Sequence, residues 1–266
     1  MTNRRNIFFY HNNSPKLNEV MNSLYDLARK YDFNIVEDSK DATIITSVGD
    51  DGTFLQAVRK TGFRDDCLYA GVSTSEKLNM YCDFSIVDLD KIIEAISNKQ
   101  IEVRKYPTIE ASLDNHTPFM CLNELSIRSS IIKAFVLDVF IDDFHFETFH
   151  GDGMIISTPT GSTAYNKSIN GAVVDPKLPC YQVSELASIN NNTYRTLGSP
   201  FILSGEHTLT LRIGDTRNGY PIVGMDNEAL SISNVEKVHV KLGSKVIKTV
   251  KLKDNSFWQK VQRTFL

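Results

Sequence analysis

The chain has 266 residues, 41% of them hydrophobic and 23% charged, with a formal net charge of −3. That length suffices for two modest domains, and the slightly acidic balance argues against a nucleic-acid-binding surface. No apolar run approaches membrane-spanning length and no signal-like apolar region follows Met1-Thr-Asn-Arg-Arg5, so neither nucleic acid nor membrane is an expected partner.

Residues 7–10 predict a first strand, ended by the turn-rich His11-Asn-Asn-Ser-Pro15. Leu17, Val20, Met21, Leu24, Leu27, Ala28 and Tyr31 then recur at helical spacing, the pattern of a helix packed on a sheet by one face. Residues 33–36, 42–48 and 67–72 read as strands, and residues 89–97 as another helix. Strands alternating with helices predict a parallel sheet with crossovers, in which ligands sit beyond the carboxyl ends of the strands. That rule draws attention to residues 41–55. Gly49 and Gly52 bracket Asp50 and Asp51, and a helix-compatible run starts at Thr53, with Thr53 or Asp51 as the expected N-cap. Such a turn offers unpaired N–H groups to an anion, and its carboxylate can accept a proton from a sugar hydroxyl. An ordinary strand-to-helix connection with a capping aspartate explains the same residues.

Beyond residue 100 the pattern changes. Residues 101–111, 119–128, 134–141, 145–149, 154–157, 208–213, 220–225, 237–242 and 246–253 are strand-like with little helix between them. Turn signals at Asp142-Asp143 and Asn218-Gly219 suggest an antiparallel sandwich. The expected fold class is therefore α+β with two domains, an α/β parallel-sheet domain over residues 1–100 and a β-rich sandwich over residues 101–253. Phe257, Trp258, Val261 and Phe265 make the tail, residues 254–266, an amphipathic segment whose docking place periodicity does not define. The four cysteines (Cys67, Cys82, Cys121 and Cys180) form no CxxC pair and read as buried reduced thiols, so no metal ligands are assigned. The composition is that of a cytoplasmic globular protein.

Three further constellations stand out. Asn123 and Glu124 fall inside a strand-like run, where neighbours point to opposite faces unless the strand is interrupted; a solvent-side Glu and a turn-forming Asn is the plainer account. His150-Gly-Asp-Gly-Met154 is a second glycine-flanked aspartate, centred on Asp152, a common turn composition. Between Ser157 and Ser168 six hydroxyl residues crowd around Pro159 and Gly161, with Tyr165 offering a flat face and Lys167 a charge. Capping accounts for one or two of those hydroxyls; the whole cluster suits phosphate or ribose recognition at a helix start.

Taken together these residues resemble the NAD kinase family, most closely a subgroup from Gram-positive bacteria. The likeness spans nearly the full chain: the Gly-acidic turn followed by Thr53-Phe-Leu55, Asn123-Glu124, Gly151-Asp-Gly153, the block from Thr160 to Ser168, Leu186-Ala-Ser-Ile-Asn-Asn191 and Arg195-Thr-Leu-Gly-Ser-Pro200. The acidic turn alone is shared with phosphofructokinase-like and diacylglycerol-kinase-like enzymes; its combination with the hydroxyl-rich block is specific. The resemblance implies phosphoryl transfer from ATP or polyphosphate, with Mg²⁺ or another divalent cation, to the adenosine 2′-hydroxyl of the substrate NAD. It implies a site between the two domains and a homodimer or homotetramer. By motif, Asp51 would accept the proton and Gly52 would lie beside it. Asn123, Glu124, His150, Asp152, Asn166 and Lys167 would bind NAD, Thr163, Ala164, Tyr165 and Ser168 would line its adenine and ribose pocket, and Ala187 would reach NAD from a neighbouring subunit.

Three departures accompany the resemblance. The family turn Gly-Gly-Asp-Gly reads Gly49-Asp50-Asp51-Gly52, which puts a side chain where the backbone could need positive φ and a negative charge near phosphates. This motivates an alternative reading, a catalytically impaired NAD-binding paralogue or sensor. Residues 71–81 do not follow the family pattern, so no nucleotide contacts are assigned there. His150 stands where a fixed cation, usually arginine, is expected.

Overall fold

β-Branched and aromatic runs in the first third form a parallel sheet, as their spacing predicts. The computed structural model describes residues 5–12, 15–76, 78–114, 116–214, 221–231 and 235–266. It divides into two units, Met1–Lys105 with Ile247–Leu266, and Tyr106–Val246. The structural boundary thus lies five residues beyond the expected one, and the chain returns to the first unit at its C-terminal end.

The first unit contains β1 (Asn6–His11), α1 (Pro15–Lys30), β2 (Asn34–Ile35), β3 (Ile44–Val48), α2 (Asp51–Lys60), β4 (Leu68–Ser73), β5 (Phe84–Ser85) and α3 (Leu89–Ser97). β1 pairs in parallel with β2 and β3, β3 with β4, and β4 with β5. Apolar residues on one stripe of each helix cover the sheet: Met21 and Leu24 of α1 pack on Val48, and Ala95 of α3 packs with Val72 and Phe84. α2 buries Phe54, which stacks on Tyr81 at 4.8 Å between centroids with 4° between planes and meets Tyr69 edge-on. The turn at residues 11–15 includes 13–14, outside the described residues.

β6 (Ile101–Leu113) leads into the second unit: β7 (Phe119–Cys121), β8 (Glu124–Arg128), β9 (Phe135–Ile141), β10 (Phe144–Gly151), β11 (Gly153–Ser157), the single turn α4 (Tyr165–Ser168), β12 (Cys180–Leu186), β13 (Phe201–Ser204), β14 (Leu209–Ile213), β15 (Ile222–Met225), β16 (Glu228–Ser231) and β17 (Lys237–Leu252). One antiparallel sheet runs β13-β12-β11-β8-β15-β16. A second set of antiparallel strands runs β10-β9-β14-β17, and β6 pairs with β7. Every second residue faces the shared core, as in Leu125 and Ile127, Met154 and Ile156, Tyr181 and Val183, Leu137 and Val139, Leu209 and Leu211, Val238 and Val240. This is the β-rich sandwich expected from the alternation.

Several expectations need correction. The run expected as one strand over residues 119–128 breaks at Leu122-Asn123 into β7 and β8. The two strands expected at residues 237–242 and 246–253 form the single β17. β12, β13 and β16 had no clean alternation to announce them. The Asp142-Asp143 turn joins β9 to β10 with Asp142 at φ 54°, whereas Asn218-Gly219 lies outside the described residues.

The tail forms α5 (Phe257–Phe265), opened by a reciprocal capping box between Ser256 and Gln259. It docks within the first unit. Arg104 ties its approach down by donating to Asn255 O at 2.7 Å and Leu252 O at 2.8 Å. Among the described residues no helix is long and apolar enough to cross a membrane.

Candidate functional site

The first unit supplies the carboxylate turn. β3 ends at Val48 and α2 begins at Asp51, so the chain must reverse within Gly49-Asp50. A Cβ at Gly49 would sit 2.3 Å from Thr53 Oγ1 and 2.6 Å from Thr53 Cβ, which only glycine avoids. Asp50 is the N-cap, replacing the expected Thr53 or Asp51: its Oδ1 accepts from Thr53 N at 2.8 Å and from Thr53 Oγ1 at 3.0 Å. Its backbone is extended, at φ −100°, so the aspartate in place of the family glycine carries no left-handed strain.

Asp51 occupies the first helical position, partly buried, and both of its oxygens are held. Oδ2 accepts from Met80 N at 2.9 Å and Oδ1 from Tyr81 N at 2.8 Å. Burial raises its proton affinity above the usual carboxylate range, although the Tyr81 and Met80 N–H groups and then Lys251 and Lys260 pull the other way. Gly52 follows it on the same turn. Behind the turn Asp83 is fully buried between Lys251, at 3.3 Å, and Lys260. Burial alone would raise Asp83, but the two lysines hold it below the usual carboxylate range.

The second unit gathers the other candidates. Interrupting the strand at Leu122-Asn123 lets Asn123 and Glu124 both be buried, contrary to the solvent-side reading of Glu124. The break is held by Asp226, whose carboxylate accepts from Leu122 N at 3.1 Å, Asn123 N at 2.7 Å and Glu124 N at 3.2 Å. Sequence reasoning missed Asp226; its only local mark is a short polar pair between strands, and it adopts φ 51°, which Asp tolerates. Burial, with Asp226 close by, pushes Glu124 up to about 8 against an opposing Tyr165 N–H. Glu124 Oε2 is buried with no partner among the described residues.

The hydroxyl-rich block is built differently from the expectation. Ser157 donates to Thr158 O, Thr158 to Leu122 O, Ser162 to Pro159 O and Thr163 to Thr160 O, while Thr160 shares a bond with Thr158. Five of the six hydroxyls therefore stabilise the bend itself, because a tight buried turn leaves carbonyls that need donors. Gly161 packs on the Asn123 peptide: an added Cβ would lie 2.0 Å from Asn123 O. Asn166 is buried, its Nδ2 reaching Ser162 O and Ala172 O at 3.4 Å and its Oδ1 accepting from Ser184 at 2.7 Å. Ala164 and Tyr165 are partly exposed, and Lys167 and Ser168 are exposed, so this rim is the part of the block that faces outward. Arg128 donates to Tyr165 OH at 3.3 Å.

Asp152 is exposed between the buried Gly151 and Gly153. Its N–H donates to Leu186 O at 2.9 Å, which places it beside the exposed Ala187 at φ 49°. His150 is partly buried with its ring 4.3 Å from that of Tyr194, and its Nδ1 has no partner among the described residues. The stretch bearing Arg195-Thr-Leu-Gly-Ser-Pro200 is pinned by two glutamates: Glu147 accepts from Leu197 N at 2.8 Å, and Glu185 from Thr196 Oγ1 at 2.8 Å and Gly198 N at 3.0 Å.

Burial, opposed by the Leu197 N–H and reinforced by Glu185, pushes Glu147 up to about 7. A carboxyl raised on folding contributes stability that is complete below its unfolded value and is lost as pH rises through its folded one. Glu147→Gln is therefore expected to gain roughly 1–3 kcal/mol over the parent at pH 8 and little at pH 5. Urea unfolding at the two pH values checks this; an unchanged difference between them contradicts it.

The architecture is that of solved NAD and NADH kinases. Yeast NADH kinase, solved in complex with NADH, superposes with a TM-score of 0.79 at 17% identity, over 98% of this chain and 87% of that one. An NAD kinase from Archaeoglobus fulgidus, solved with ATP, gives 0.73 at 18% identity, over 98% and 97%. In sequence, the model of the ATP-NAD kinase C-terminal domain matches residues 122–252. NAD kinase 2 of Bacillus subtilis is 64% identical over 263 residues, covering 99% of this chain and 98% of the relative. The chain belongs to the NAD kinase family.

Proposed function

We propose that this protein transfers the terminal phosphoryl group of ATP, or of polyphosphate, to the 2′-hydroxyl of the adenosine ribose of NAD, forming NADP. The observation that carries the reading is Asp51: a carboxylate at a helix start, oriented by two N–H donors and made more basic by burial. Phosphoryl transfer asks mainly for positioning and charge neutralisation, and an oriented carboxylate near the attacking hydroxyl takes its proton as the new bond forms. In this reading the buried Asn123 and Glu124, with His150 and Asp152, hold the hydroxyl and amide groups of the dinucleotide. Glu124, pushed up to about 8, keeps its proton at neutral pH and can donate as well as accept. The outward rim of Ala164, Tyr165, Lys167 and Ser168 takes the adenosine end, with the Tyr165 ring as its flat surface, while Thr163 and Asn166 shape that rim from within the bend.

Mg²⁺, or another divalent cation, supplies charge neutralisation on the transferring phosphates and arrives with the nucleotide. Asp50 Oδ1 is taken by Thr53, and both Asp51 oxygens are taken by Met80 and Tyr81, an arrangement that fits a cation carried chiefly by phosphate oxygens. We assign the protein to the cytoplasm and to a homodimer or homotetramer in which the exposed Ala187 faces a neighbouring subunit's NAD. The sensor alternative loses its conformational ground, because Asp50 caps α2 from an unstrained backbone.

The test is direct. Purified protein with NAD, ATP and Mg²⁺ should form NADP, read by an NADP-specific dehydrogenase. Calorimetric binding of NAD without any NADP formed would overturn the kinase reading.

A further inference from the structure

Two peptides orient Asp51, and each of them is gripped from its other side. Met80 donates its N–H to Asp51 and accepts from Lys260 Nζ at 2.9 Å through its carbonyl. Tyr81 likewise donates to Asp51, and its carbonyl accepts from Lys251. Both lysines converge on Asp83, whose second oxygen accepts from Leu252 N at 2.9 Å. Lys251 and Lys260 are 0% and 1% exposed. They come from the end of β17 and from α5, so the C-terminal segment closes over the back of the loop that holds the carboxylate. Arg263, one turn further along α5, reaches Leu78 O at 3.4 Å.

A buried lysine is a costly way to dock a helix: burial, reinforced by Lys251, pushes Lys260 down to about 7 while Asp83 pulls the other way, and an apolar side chain of similar length would pack without that cost. What a lysine adds here is a fixed donor to a carbonyl. A peptide plane anchored at its oxygen has its N–H direction set, and a charge-assisted bond to the carbonyl strengthens the N–H as a donor.

We propose that Lys260, acting with Lys251 through the Met80 and Tyr81 peptides, is a positioning residue for phosphoryl transfer: α5 fixes the orientation of the Asp51 carboxylate. The inference rests on the reading of Asp51 as the proton acceptor. Lys260 touches neither substrate nor reacting atoms, so its loss acts on turnover and not on substrate affinity.

The test measures kcat and KM for NAD and ATP in Lys260→Met, in the triple variant Asp83→Asn with Lys251→Met and Lys260→Met, and in Asp51→Asn, with a melting curve for each. For Lys260→Met the expected result is a kcat lower by roughly 10–100-fold with both KM values within about threefold. The triple variant removes the buried carboxylate and both lysines that face it, yet leaves Met80 O and Tyr81 O without their donors, so its kcat should stay low. It decides the question if Lys260→Met alone does not fold. A folded Lys260→Met with kcat within about twofold of the parent overturns the proposal. So does a triple variant with kcat near the parent's, which would reduce the lysines to balancing Asp83. If Asp51→Asn keeps full turnover, the base reading falls and this inference with it. If Asp51→Asn is inactive while Lys260→Met turns over normally, only the positioning role falls.

Discussion

Replacing Asp51 by asparagine should lower kcat by about 10²–10⁴-fold, equivalent to roughly 3–5 kcal/mol of transition-state stabilisation. The amide keeps the size of the side chain but cannot take a proton. It can accept from only one of the Met80 and Tyr81 N–H groups and turns its own NH₂ toward the other, so part of the loss comes from orientation. The two contributions separate by pH. In the parent, kcat/KM should fall on the acid side as Asp51 takes up its proton, at a pH displaced upward because burial raises that carboxyl. In Asp51→Asn that acid limb should vanish and the residual rate be nearly flat. NAD affinity by calorimetry should change little, since the proton is moved in the transition state and not on binding. Undiminished turnover in a folded preparation is the result this mechanism does not survive.

The second large effect is structural and lies in the other unit. Gly161→Ala would place a methyl 2.0 Å from Asn123 O and 2.4 Å from Asn123 C. Both atoms are backbone, and Asn123 is held by Asp226 on its far side, so neither strand nor bend can yield without breaking bonds. Overpacking of this kind should cost about 3 kcal/mol, or a melting point roughly 6–12 °C lower. The displaced Asn123-Glu124 peptide should weaken NAD binding in the same variant. A melting point within about 1 °C of the parent would mean that the bend is looser than this packing requires.

Both predictions begin at residues that attract attention before any fold is known, and the structure changes the reason for each. Glycines flanking two aspartates after an apolar run announce a turn at the end of a strand. The division of labour, with Asp50 as cap and Asp51 as held carboxylate, depends on which oxygens meet which N–H groups. The crowd of hydroxyls between Ser157 and Ser168 was a true signal of a special segment. Its chemistry faces inward, satisfying carbonyls of a bend that brings Gly161 against Asn123, and only the rim around Tyr165 looks outward. Glu124 misleads in the opposite direction. Alternation assigns it to solvent, but a break in the strand buries it, and the break is enforced by Asp226, about 100 residues away.

The amino-acid pattern alone determined the two-part architecture, because helical and strand periods are local consequences of which faces are apolar. It determined the family too, since the residues carrying the resemblance are contiguous short motifs. The environment of the Asp51 carboxylate was decided only by tertiary structure. Asp51 is bound by peptides 29 and 30 residues along the chain, and Lys260 meets Met80 across 180. Bonds between backbone groups and side chains so far apart leave no periodic trace. They exist only once β17 and α5 have folded back against the loop that carries Met80 and Tyr81.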